Sequence, residues 1–172
     1  MGPLAVHALS SITKRITSPP STPSRPLSSL LSMTGYATIL LFLPVHFLTH
    51  RVNPTTAGPP IFAVGPAELD YEFVKFGLQK WPWRSWALYA GLVVCVVLHA
   101  TDGIYIIWNT WLNNIQGWWK GSRNRRFATA VGGLILPVLS GVFMLSREPL
   151  VTLSSTAKRF EAVFTKSFPY WI

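Results

Sequence analysis

The stretch from Trp86 to Trp108 constrains this chain most: in 23 residues only His99 and Asp102 carry charge near neutral pH. At about 1.5 Å per residue a helix of that length crosses a hydrocarbon layer of roughly 30 Å. Trp81, Trp83 and Trp86 precede it and Trp108 and Trp111 follow, where amphipathic rings settle at headgroup level. Two further apolar segments, about 33–50 and 127–145, complete a three-span pattern. Pro44 and Pro137 are predicted to kink these helices, and Arg51, Asn53 and Pro54 to end the first. Gly132, Gly133, Ser140 and Gly141 give the third span a surface that another helix can approach closely.

Composition agrees with a membrane chain. Of 172 residues 49% are apolar and 12% charged, too apolar for an average soluble domain. The formal charge of +9 is not a nucleic-acid signature, because the basic residues flank apolar segments instead of lining one face of a soluble fold. Membrane lipids are the expected partners, not nucleic acid. Cys95 lies within the central span and has no second cysteine to pair with. With three spans, the amino-terminal tail and the basic connection at Lys120, Arg123, Arg125 and Arg126 share one side. That side has no acid outside the membrane, and the positive-inside tendency places it in the cytoplasm.

The chain divides into a basic Ser/Pro-rich tail (1–32), a three-span domain (33–146) and a carboxy-terminal segment (147–172). The tail reads as flexible, or as a mitochondrial presequence; prolines 19, 20, 23 and 26 confine any helix in it to about the first 17 residues. Between the first two spans, Ala67 to Leu78 has the spacing of a short helix with Leu69, Phe73 and Phe76 on a membrane surface. Phe160, Val163 and Phe164 repeat that pattern in an interfacial carboxy-terminal helix, and the final Phe-Pro-Tyr-Trp-Ile anchors at the headgroups.

Ionisable residues at membrane depth are costly and mark functional positions. His46 and His50 are four apart and share one helix face. His99 and His46 are the candidate haem ligands, since imidazole nitrogens bind haem iron from opposite porphyrin faces. Counting from the span ends, an offset of roughly 10 Å separates them along the bundle, so a second chain supplies one ligand or His99 binds singly. The alternative is structural: His99 donates to a carbonyl of a neighbouring helix. Asp102 then orients His99, answers Arg51 across the bundle, or is protonated. No phosphate loop and no zinc-type ligand spacing occurs.

Ser28, Thr34-Gly35, and His99 followed by Gly103 resemble the cytochrome b membrane anchors of succinate dehydrogenase over residues 28 to 146. Leu31 and Ser32 stand where that family has its His-Arg pair, and Tyr105 and Ile106 where it has Arg-His. That resemblance implies haem b on His99 and electron transfer to quinone in the mitochondrial inner membrane. Closer is the likeness to the Mcp-type fungal mitochondrial adapter family. It rests on Thr34-Gly35 leading to His46 and Arg51, on Gly77-Leu78, Trp81-Pro82 and Ser85-Trp86, and on His99 with Gly103. This likeness implies an all-α, three-helix, cytochrome b anchor-like bundle without enzymatic activity, with Gly35 and Gly103 at helix packing. It further implies the outer mitochondrial membrane, a role in lipid homeostasis and organelle contact, and recruitment of a bridge-like lipid-transfer protein through Pro-x-Pro. The tail has Pro20, Pro23 and Pro26 but no Pro-x-Pro. A homo-oligomer is a further expectation.

Overall fold

The computed structural model describes residues 2–21, 25–111 and 122–171; Pro23, Trp118, Trp119, Lys120 and Ile172 lie outside them. The described residues are helical, with no strand among them. Helix α1 runs Gly2–Thr17, α2 Leu30–Thr55, α3 Tyr71–Lys80, α4 Pro82–Trp111, α5 Arg123–Arg147 and α6 Ser154–Thr165. Of these α2, α4 and α5 are long and apolar enough to cross a membrane. Each exceeds the limits expected from sequence, because polar end residues such as Arg51 and Arg123 continue the helix beyond its apolar run.

Pro44 and Pro137 are absorbed within continuing helices, and Pro54 lies in the last turn of α2, which ends at Thr55. Three π-helical turns, Thr38–Phe42, Leu48–Val52 and Val131–Ile135, each finish two residues before a proline: Pro44, Pro54 and Pro137. A proline ring crowds the carbonyl four residues back and offers no N–H to it. Those carbonyls, of Leu40, His50 and Gly133, lie at the centres of the three widened turns. The residue before each proline bonds five back instead of four: Leu43 to Thr38, Asn53 to Leu48 and Leu136 to Val131. Helix α2 therefore passes Arg51 and Asn53 and closes in a final tight turn at Asn53–Thr55.

The two short helices form a cap with its own core. Asp70 caps α3 by accepting from the Glu72 N–H at 2.8 Å, and Pro82 starts α4 directly after Trp81. Phe73 and Phe76 of α3, Phe160, Val163 and Phe164 of α6, and Ile61, Val64, Trp81 and Tyr170 are buried together. Phe73 and Phe164 stack at 4.6 Å, and Phe160 meets Phe73 edge-on at 5.1 Å. Such pairs add roughly 0.5–1.5 kcal/mol each beyond area burial. This corrects the expectation of interfacial helices: the apolar faces of α3 and α6 are spent on one another, not on lipid. Trp81 and Tyr170, expected at the headgroups, are buried in the same cluster, while Phe168 and Trp171 stay exposed.

Charge completes the cap. Lys75, nearly inaccessible, pairs with Glu72 and lies 3.7 Å from Glu148, as a buried ammonium requires. Glu72 also accepts from the Val151 N–H and the Thr152 hydroxyl, both at 2.9 Å, tying α3 to the strand of chain that enters α6. Arg159 pairs with Glu68 and donates to the Ile61 carbonyl; Lys80 meets Glu161 at 2.6 Å. Between Ile61 and Val64 the loop turns through Phe62 and Ala63, both at positive φ, 53° and 51°.

Part of the tail is helical. Residues Gly2–Thr17 form α1, with Pro19, Pro20 and Pro26 beyond it, and this helix touches the bundle through His7 and Arg15.

Candidate functional site

The polar residues of the spans are organised around the antiparallel packing of α2 on α4. Three contacts set the register. Gly35 admits the His99 ring, since a Cβ there would lie 2.6 Å from its Cε1; Gly91 likewise admits Phe42; and His50 Nε2 lies 3.1 Å from the Tyr89 hydroxyl. His99 Nδ1 is 3.0 Å from the Leu31 carbonyl. A carbonyl only accepts, so Nδ1 carries the proton and donates. The structural role considered for His99 is thus the one its geometry displays.

His46 sits at a different level. It stacks on His50 with ring centroids 4.4 Å apart, as their shared helix face requires. Eleven residues separate it from Gly35, the residue facing His99, which at the helical rise is about 16 Å along the bundle. The offset exceeds the roughly 10 Å counted from the span ends, because the contact of α2 and α4 is set by Gly35 and Gly91, not by aligned ends. The space beside His46, lined by Phe42, His50, Tyr89 and Tyr170 among others, is a cavity of about 10 Å³, a size for one water and not a porphyrin. His46 and His99 of one chain therefore do not fit as the two axial ligands of one haem. No group of three or more metal-ligating side chains occurs among the described residues.

Asp102 and Arg51 are not partners. Arg51 follows His50, which faces Tyr89, and Asp102 lies 13 residues beyond Tyr89, roughly 20 Å along α4. Three residues past His99, which bonds Leu31, Asp102 lies level with the start of α2. Among the described residues it forms no ion pair and does not bond His99. Among the described residues, nothing stands close to where a Cβ would lie on Gly103, Gly132, Gly133 or Gly141, so none of them is a close helix contact there.

Several contributors have no strong signal in the sequence. His7 of α1 meets the His99 ring edge-on at 5.9 Å; its spacing on an amphipathic turn is the one hint available. Asn53 donates to the Val163 carbonyl at 3.1 Å and to Ser167, whose hydroxyl also bonds Thr49, fastening α2 to α6. Ser85, fully buried, donates to the Gly77 carbonyl at 2.7 Å, and a Cβ on Gly77 would strike the Phe164 ring at 2.6 Å. At the other end the Arg126 guanidinium lies over the Tyr105 ring at 3.2 Å, joining α5 to α4. Compared with family models, with curated proteins and with solved structures, the chain gives no match.

Proposed function

We propose that the protein is a non-enzymatic, multi-pass protein of the mitochondrial outer membrane, an adapter in lipid homeostasis and contact with other organelles. The observation that supports this reading is the use the fold makes of the adapter-like residues. Gly35 receives His99; Gly77 accepts Ser85 and receives Phe164; Trp81 enters the cap core. These are joints between helices, suited to a scaffold that presents a cap outside the membrane. Membrane lipids are its first partners, and a bridge-like lipid-transfer protein and a second copy are the protein partners that the resemblance suggests.

Fractionation with protease protection tests the reading. The expected result is co-fractionation with outer-membrane markers and cleavage from outside while the inner membrane is intact; a purely inner-membrane, matrix-accessible protein overturns it. The gently solubilised protein is expected to have no Soret band. A Soret band lost in His99→Ala, with co-purifying flavoprotein and iron-sulfur subunits, would move the chain to the succinate dehydrogenase anchors.

A further inference from the structure

Helix α1 touches two spans at one level. Arg15 reaches α2, its Nε 3.3 Å from the Tyr36 hydroxyl and its Nη2 3.5 Å from Ser32 Oγ. His7 reaches α4 through His99. Since His99 bonds Leu31 and packs on Gly35, the levels of Ser32, Tyr36 and His99 coincide. Eight residues separate His7 from Arg15, about 12 Å of helix, enough to stride the roughly 8–10 Å between two packed helix axes. So α1 crosses α2 and α4 transversely, and a helix transverse to membrane spans lies in the membrane plane.

Its chemistry suits that position. Leu9 and Ile16 are 62% and 77% exposed on one side, with Ile12 and Leu4 between them and the bundle; Ser10 and Lys14 lie on the other. The helix has no acidic residue, and the same end of the bundle carries Arg25, Arg123, Arg125 and Arg126 against Asp102 alone among the described residues. An apolar face beside lipid-facing spans, with a basic polar edge, complements an anionic leaflet.

We propose that α1 is an in-plane amphipathic helix that binds anionic lipid headgroups of the leaflet at the basic end, with His7 and Arg15 fastening it across α2 and α4. The inference rests on the spans being in a membrane, so the test carries a control for that. The full chain in a Cys95→Ser background receives single spin labels at Leu9→Cys, Ile16→Cys, Ser10→Cys and Val96→Cys. It is placed in nanodiscs of phosphatidylcholine with and without phosphatidylserine. Collision with oxygen reports lipid and collision with a nickel chelate reports water.

Val96 on α4 is expected in lipid in both discs. In phosphatidylserine discs Leu9 and Ile16 are expected in lipid and Ser10 in water. Lys14→Gln is expected to lower the lipid-to-water ratio of the Leu9 label about fivefold, the equivalent of about 1 kcal/mol for one basic side chain at an anionic surface. Leu9 and Ile16 as water-exposed as Ser10, with Val96 in lipid, overturn the in-plane helix while sparing the spans. Insertion indifferent to phosphatidylserine and to Lys14→Gln overturns the headgroup role. Val96 in water overturns the membrane reading and this proposal with it.

Discussion

The two ends of the bundle are built on opposite principles. At the cap end, four carboxylates, Glu68, Glu72, Glu148 and Glu161, pair with Arg159, Lys75 and Lys80, and Asp70 caps a helix over an aromatic core. At the basic end, Lys14, Arg15, Arg25, Arg123, Arg125 and Arg126 face one aspartate, and among the described residues none forms an ion pair. The cap pairs those four carboxylates and buries its own rings; at the basic end Arg126 lies over Tyr105 and Arg15 reaches Tyr36 and Ser32, with no carboxylate paired to either among the described residues. On the reading proposed above, the closed end is the domain presented on one side of a membrane and the open end is the one that meets lipid.

The largest effect that would break this contrast is expected from Phe164→Ala. Phe164 is wholly buried and touches the rings of Phe73, Phe76, Trp81 and Tyr170. Its truncation is expected to cost about 3–5 kcal/mol and to open the cap while α2, α4 and α5 keep their helicity. Thermal unfolding followed by tryptophan emission and by circular dichroism separates the two, and a single coincident transition would mean that the ends fold as one unit. Gly35→Ala acts on the other end. Its Cβ would meet a His99 ring held by Leu31, at an expected cost of about 1–3 kcal/mol, with hydrogen exchange rising in α1 and not in the cap.

Ala63→Gly is expected to stabilise the cap by about 1 kcal/mol, because Ala63 holds a left-handed conformation that glycine adopts freely. Chemical denaturation reads this gain; a loss would mean that the Ala63 methyl group contributes more than its backbone costs. Acid has the smallest expected effect. Arg159 holds the Glu68 carboxyl below its ordinary 4.5, and Lys75 does so for Glu72, with backbone N–H groups of Gly65 and Val151 adding to each. A carboxyl depressed in the folded state contributes stability that is complete above its unfolded pKa and lost as pH falls through the folded value. The cap is thus expected to hold from neutrality to about pH 5 and to loosen below the ordinary 4.5. The basic end should be indifferent to that window in the same titration.

The spans were legible in the sequence because hydrocarbon demands a long apolar helix, which leaves an unbroken run such as Trp86 to Trp108. The helical spacing of Phe73 and Phe76, and of Phe160, Val163 and Phe164, identified two apolar faces. It could not say what covers them, since periodicity describes one helix and burial requires two. The same limit hid His7 against His99 and Asn53 against Ser167, contacts joining residues 92 and 114 positions apart. Gly35 and Gly103 looked alike as small residues; only packing distinguishes the one that receives a ring from the one beside open space. Pro44 and Pro137 were legible as interruptions of the helical hydrogen-bond ladder; the π turn that accommodates each is made by backbone geometry, which residue types do not announce.

The most direct test of the two-ended account is sidedness. Single cysteines at Ser10→Cys in α1 and Ser155→Cys in α6, in a Cys95→Ser background, are exposed to a maleimide carried on a polyethylene glycol chain too large to cross a membrane or its pores, in sealed and in permeabilised native membranes. The account predicts that one reacts from outside and the other only after permeabilisation. Reaction of both from the same side of the intact membrane would contradict it.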